Sequence, residues 1–242
     1  MNPELQLLLW VAGSFAIGPA AVAYVYRSGG GWRHQALVES DLGGMVVEVA
    51  LFMYHIGLPF LALIGGALSV DLLGLGAIAV EGAPTLAGFT PRDWMRSSIA
   101  AALAAGFVLI VVWMARRAAG APPSLSTNIP GLLPILRDAA YAEVHWAFYR
   151  APFALLLQDA YWGTAAGFVL VATEWLLMRW LRRAPAHADR PHTLTMTCCA
   201  LTSGLLYLIA RNLWLMIAAH AAIRWAGGRL LTRAAQPAAP QT

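Results

Sequence analysis

Apolar residues fill the chain in long runs, separated by short stretches that gather the charges, glycines and prolines. Cutting at those breaks leaves seven runs long enough for spanning helices, at about 5–26, 42–66, 98–115, 138–157, 161–181, 193–210 and 212–226. The third and the last two are short for a hydrocarbon core of roughly 30 Å, so six spans with a re-entrant piece is the alternative count. None of the runs alternates with the period of two that a membrane barrel strand needs. The pattern predicts an all-α, polytopic integral membrane protein with about seven transmembrane helices.

Composition points the same way. Hydrophobic residues make up 60% of the 242 and charged residues only 12%, with a mean hydropathy of +0.63, an unusual balance for a water-soluble domain. Every basic residue is Arg. With the N-terminus outside, the inner side collects Arg27, Arg33, Arg116, Arg117, Arg137, Arg179, Arg182, Arg183, Arg190, Arg229 and Arg233. The outer side keeps Arg92, Arg96 and Arg211, beside Asp71, Glu81, Asp93 and Asp159. That asymmetry predicts an N-out, C-in orientation. The net charge of +4 then reflects topology, and without a basic stripe interleaved with aromatics no nucleic-acid partner is expected.

The opening MNPELQ has an acid and no Arg, so the first run reads as a retained helix and not a signal peptide. Richness in Ala, Arg, Gly and Pro without Lys suggests a GC-rich genome and a multi-pass protein of a bacterial inner membrane. Cys198 and Cys199 are adjacent, a spacing that excludes an ordinary disulfide between them, and read as two small buried residues.

Along the chain, residues 1–117 hold the first three runs, and a Pro-, Ser- and Gly-rich linker covers 118–137. A four-helix core follows at 138–227, and 228–242 reads as a disordered tail. The connection DLLGLGAIAVEGAPTLAGFTPRDW is apolar for a loop and is expected along the outer membrane face, with Trp94 as its interfacial anchor.

Three ionisable residues interrupt the last four runs: His145, Glu174 and His220. A bilayer tolerates such groups when they pair, face a water-filled cavity or bind an ion. At about 1.5 Å per residue, His145 and Glu174 lie roughly 10 Å, and His220 about 9 Å, from the inner ends of their runs. Three helices thus bring ligand-type groups to one level. His, Glu and His also suit a zinc ion with one open position. The structural alternative is a set of separate hydrogen-bonded core residues.

Glu143 and Arg150, seven apart, share one helix face and either join a site or form a structural ion pair. Glu48 reaches the same level from the second run and stands in the same relation to His55; together they extend the site or make a polar pair of their own. Arg224 follows His220 by one turn, placed to orient it, to bind an anionic group or to snorkel to the interface. The tryptophans are expected to pack and to anchor at the interfaces.

Residues 138–227 resemble the CPBP family, the CAAX-protease-like intramembrane metalloproteases. RNLWLMIAAHAAIRW is similar to the family's closing motif, with His220 on the motif His and Arg224 where Asn is usual. HWAFYR is similar to the end of EExxxR, with Arg150 as its Arg, His145 and Trp146 on the two acidic positions and Glu143 two residues upstream. LVATE puts Glu174 where FxxxH has its His. Glu and His are thus exchanged between the first two motifs.

The resemblance implies a metalloendopeptidase that cuts membrane-associated peptide or protein substrates near the inner face. A divalent metal, zinc in the first instance, would be held by His145, Glu174 and His220, or a carboxylate would act directly on water. Glu143 or Glu174 would serve as general base, and Arg150 or Arg224 would steady the developing oxyanion. Two other classes fit the same pattern. One is an inactive relative that binds a partner membrane protein or a lipid. The other is a transporter, although the outer halves of the last four runs carry few of the polar groups a transport route requires.

Overall fold

The computed structural model describes residues 2–27, 40–76, 86–118, 131–182 and 190–233. The described residues form helices: α1 (Pro3–Arg27), α2 (Asp41–Ile64), the single turn α3 (Val70–Leu73), α4 (Pro91–Ala118), α5 (Leu132–Leu157), α6 (Ala160–Arg182), α7 (Arg190–Ala210) and α8 (Leu213–Arg233). Each predicted apolar run falls on one of the seven long helices. Five of them, α1, α2, α4, α6 and α7, are long and apolar enough to cross a membrane. The other two are interrupted by charge: α5 carries Arg137, Asp138, Glu143, His145 and Arg150, and α8 carries His220 and Arg224.

Local chemistry sets the helix ends. Before α4, Thr90 and Asp93 cap each other: the Asp93 amide donates to Thr90 Oγ1 at 3.2 Å, and the Thr90 amide donates to Asp93 Oδ2 at 3.2 Å. Pro91 follows at the first helical position, where a missing N–H is harmless. Ser40 Oγ accepts from the Gly43 amide to start α2. Between α5 and α6 the chain turns within two residues. Gln158 takes a left-handed φ of 49°, and Asp159 Oδ1 accepts the amides of Tyr161 and Trp162.

Three helices extend well past the apolar runs, and α4 does so at its start, Pro91. α5 begins at Leu132, six residues inside the segment read as linker, and α8 runs to Arg233, into the segment read as tail. The remainder of the linker, residues 119–130, and of the tail, from 234 on, lies outside the described residues, as do residues 77–85 of the long apolar connection. Trp94 donates its indole N–H to the Leu86 carbonyl, which ties down the end of that connection.

α5 runs through the middle of the bundle, and its residues from Ala147 to Ala151 are almost fully buried. It packs on α1, α2, α3, α6 and α8. The α5–α6 seam is the tightest, because Gly163 and Gly167 face α5. A Cβ on Gly163 would sit 2.5 Å from Ala154 Cα, and one on Gly167 would sit 2.7 Å from Arg150 Cα. Small residues four apart let two membrane helices touch backbone to backbone. Outward, α4 presents Leu103, Phe107, Ile110 and Met114, all exposed, at helical spacings of four and three. An exposed apolar stripe of this length fits lipid and not water.

α2 contains one π-turn, Met53–Gly57. Pro59 lies just beyond it, and its ring crowds the carbonyl four residues back, that of His55. The widened turn relieves that contact and swings Tyr54 and His55 toward α5.

Candidate functional site

Glu143 and His145 are two residues apart on α5, about 200° around the helix, so they face opposite sides. The structure builds a separate buried cluster on each.

On the first side, His145 meets Glu174 of α6, with Nε2 3.5 Å from Oε2. Both residues are 4% exposed. Glu174 Oε1 accepts the Tyr54 hydroxyl at 2.5 Å and the Tyr149 hydroxyl at 3.3 Å. Tyr54 also lies 3.2 Å from the Ser14 carbonyl, but a phenol has one proton, and the shorter contact to the carboxylate takes it. The imidazole of His145 is ringed by aromatics, with centroids of Tyr149 at 4.2 Å, Tyr54 at 4.9 Å and His55 at 5.2 Å. Gly18 of α1 leaves space for this cluster: a Cβ there would fall 2.5 Å from the Tyr54 hydroxyl and 3.1 Å from Glu174 Oε1.

On the opposite side, Glu143 Oε1 bonds His220 Nδ1 of α8 at 2.8 Å, and Glu143 Oε2 accepts the hydroxyl of Ser203 on α7. Glu143 is 0% and His220 1% exposed. Trp146 stacks on the His220 ring with centroids 5.3 Å apart and meets Trp175 edge-on at 5.7 Å. One turn further along α5, Arg150 lies 3.8 Å over the Tyr207 ring. Its Nε and Nη2 are buried without a hydrogen-bond partner.

A third group marks one end of the bundle. Glu48 pairs with Arg137 at 2.7 Å, Arg137 with Asp138 at 3.1 Å, and Asp138 with Arg224 at 3.3 Å. This chain of ion pairs links α2, α5 and α8, and its members are partly to largely exposed.

Of the residues expected at one site, His145 and Glu174 come together. His220 pairs instead with Glu143. Arg150 is on the Glu143 side with no contact to either glutamate, and Arg224 is engaged at the rim by Asp138. Glu48 and His55 do not pair with each other. Glu48 belongs to the rim, while His55 stacks on Tyr141 at 5.5 Å beside His145. The π-turn separates them, because it breaks the simple seven-residue register.

Among the described residues, no three of His, Cys, Asp and Glu gather as a metal ligand set. The donor set expected for zinc is therefore not assembled in this conformation, since His220 Nδ1 is committed to Glu143. What the first cluster does offer is acid–base chemistry: one carboxylate, one imidazole and two phenols, shielded from water. Reading the sequence for charges overlooked Tyr54, Tyr149, Ser14 and Ser203, which are neutral and unremarkable in apolar runs. Comparison with family models, with curated proteins and with solved structures finds no match.

Proposed function

We propose that the chain is a seven-span, N-out protein of a bacterial inner membrane and a hydrolase of the intramembrane CAAX-protease type, with Glu174 as general base. The observation that carries this reading is the buried His145–Glu174 pair. These residues stand at the two motif positions where Glu and His are exchanged, and they meet in space, so the pairing survives the exchange. The Arg-rich inner connections support the orientation. α5 and α8 complete the seven spans, their polar groups turned inward.

In this scheme Glu174 takes a proton from a water molecule as its oxygen attacks the scissile carbonyl carbon. The same proton passes to the leaving amine as the C–N bond breaks. The His145 ring, 3.5 Å from the carboxylate, positions it for both steps, and the Tyr54 and Tyr149 hydroxyls are the nearest donors to the reacting group. The substrate class is a peptide presented at the inner leaflet. Substrate reaches Glu174 only once Tyr54 moves aside, which assigns the α2 π-turn the role of cover.

A second reading, a noncatalytic membrane protein that holds a partner helix or a lipid, is favoured by one observation. Both clusters are closed off, with Glu143, His145, Glu174 and His220 all at most 4% exposed. The experiment that separates the readings is peptide cleavage by the purified protein in liposomes, with elemental analysis of the same sample. Glu174→Gln is expected to lower turnover by about 10²–10⁴-fold while the fold persists. Absence of turnover in the folded wild type moves the assignment to the noncatalytic reading. One zinc per chain, lost in His145→Ala, Glu174→Ala and His220→Ala alike, replaces the direct carboxylate route with a metal one.

A further inference from the structure

Arg150 is the one group on α5 whose charge nothing in its surroundings answers by direct contact. It is 4% exposed, and the Tyr207 ring 3.8 Å away compensates only part of the lost hydration. The residue one turn before it is Trp146, so the usual helical i, i+4 position for a counter-charge is occupied by an indole.

The pattern of unmet donors is specific. Nε and Nη2 are both without partners, and they form one edge of the guanidinium, where two N–H bonds point in parallel. That edge matches the two oxygens of a carboxylate.

Arg150 also lines a cavity of about 30 Å³ between α5, α6 and α7. A single water needs about 10–15 Å³ measured in this way, so the space suits two oxygens. Its other walls include Gly167 and Phe168 from α6 and Ser203 and Gly204 from α7. The Ser203 hydroxyl is already given to Glu143 and the Thr164 hydroxyl to the Ala160 carbonyl, which leaves Arg150 as the charged residue among the walls. Phe168 and Gly204 are only half-buried, so the cavity reaches the bundle surface where α6 and α7 face the proposed lipid.

We propose that Arg150 anchors a binding site for a carboxylate group, reached between α6 and α7. The ligand chemistry is a monovalent carboxylate, carried either on a small soluble acid or on a single-chain amphiphile within the bilayer. The assignment is independent of the hydrolase reading, because it uses the opposite face of α5 and needs no turnover.

The test is equilibrium binding to the full chain in phosphatidylcholine nanodiscs, using acetate, dodecanoate and methyl dodecanoate, each ¹³C-labelled at the carboxyl carbon. Saturable one-to-one binding of dodecanoate or of acetate is expected, and the tighter of the two identifies the source. The methyl ester, which lacks the charge, is expected to bind at least about tenfold more weakly than the acid, as is dodecanoate to Arg150→Met. Trp146→Glu places a carboxylate one turn from the guanidinium and is expected to abolish binding, whereas Trp146→Gln retains it. Equal binding of acid and ester by the wild type overturns the proposal. So does undiminished binding by folded Arg150→Met, equal binding by the two Trp146 variants, or no saturable binding of either acid, which would leave water as the occupant.

Discussion

Tyr54 is the side chain whose removal the buried carboxylate of Glu174 should feel most directly. A hydrogen bond to a charged group contributes about 1.5–3 kcal/mol, and the 2.5 Å contact belongs to that class. Tyr54→Phe is therefore expected to lower unfolding free energy in detergent by that amount, and Tyr149→Phe, at 3.3 Å, by less. Equal losses would mean that the two phenols donate to the carboxylate alike, against the difference in distance. On the opposite face, Glu143→Ala leaves His220 and Ser203 facing an empty site, and breaking a buried pair of this kind costs about 3–5 kcal/mol. Chemical denaturation of that variant, with Glu143→Gln as the milder comparison, measures it. That these residues lie at a similar level of the bundle is legible in the sequence, because a helix advances by a fixed rise per residue. Their partners are not. Counting along the helices puts His145, Glu174 and His220 at one level of the bundle, whereas pairing depends on rotation about each helix axis. A two-residue offset on α5 turns Glu143 and His145 to opposite sides, and only packing against α6 and α8 decides which partner each one meets.

For the helices as elements, the α5–α6 seam is the decisive contact. Gly167→Leu would drive a side chain into the Arg150 backbone, and overpacking of this kind costs about 1–3 kcal/mol or more. The expected result is a lower unfolding temperature, together with loss of the Arg150 cavity. Gly13, with open space around its Cβ position, supplies the control: Gly13→Ala is expected to be neutral or slightly stabilising, as Ala favours helix by roughly 1 kcal/mol over Gly. Apolar runs located every long helix, since burial in lipid or protein demands continuous hydrophobic surface. The helix ends were less legible. Hydropathy stops at the first cluster of charges, but hydrogen bonding does not, so Arg137 and Asp138 continue α5, and Thr90 with Pro91 starts α4 before its apolar stretch. The π-turn of α2 had a signal in Pro59, whose consequence one turn upstream is steric and invisible to hydrophobic patterning.

The molecule as a whole is apolar on its outside as well as in most of its core. Its exposed stripes on α4 and α6 are apolar, and its most buried positions include Glu143, His220, Asn212 and Arg150. Orientation is testable at this scale. A fluorescent or protease-cleavable reporter joined after residue 242 is expected to report the inner side, and a single accessible cysteine near Trp94 is expected to label from the outer side. The reverse pattern would overturn the N-out assignment and, with it, the placement of the Glu48–Arg137–Asp138–Arg224 rim at the inner face. The division between five strongly apolar helices and two polar ones also carries a consequence for biosynthesis. α5 emerges from the ribosome with Arg137, Asp138, Glu143 and Arg150 on it, and under the seven-span reading it gains a glycine-lined partner only when α6 has followed it into the insertion machinery. The carboxylate of Glu143 then waits longer still, because His220 lies on α8, which follows α6 and α7 in the chain. A nascent chain interrupted before Leu213 exposes an unanswered charge within the bilayer, a mark by which membrane quality control can tell an unfinished copy from a finished one.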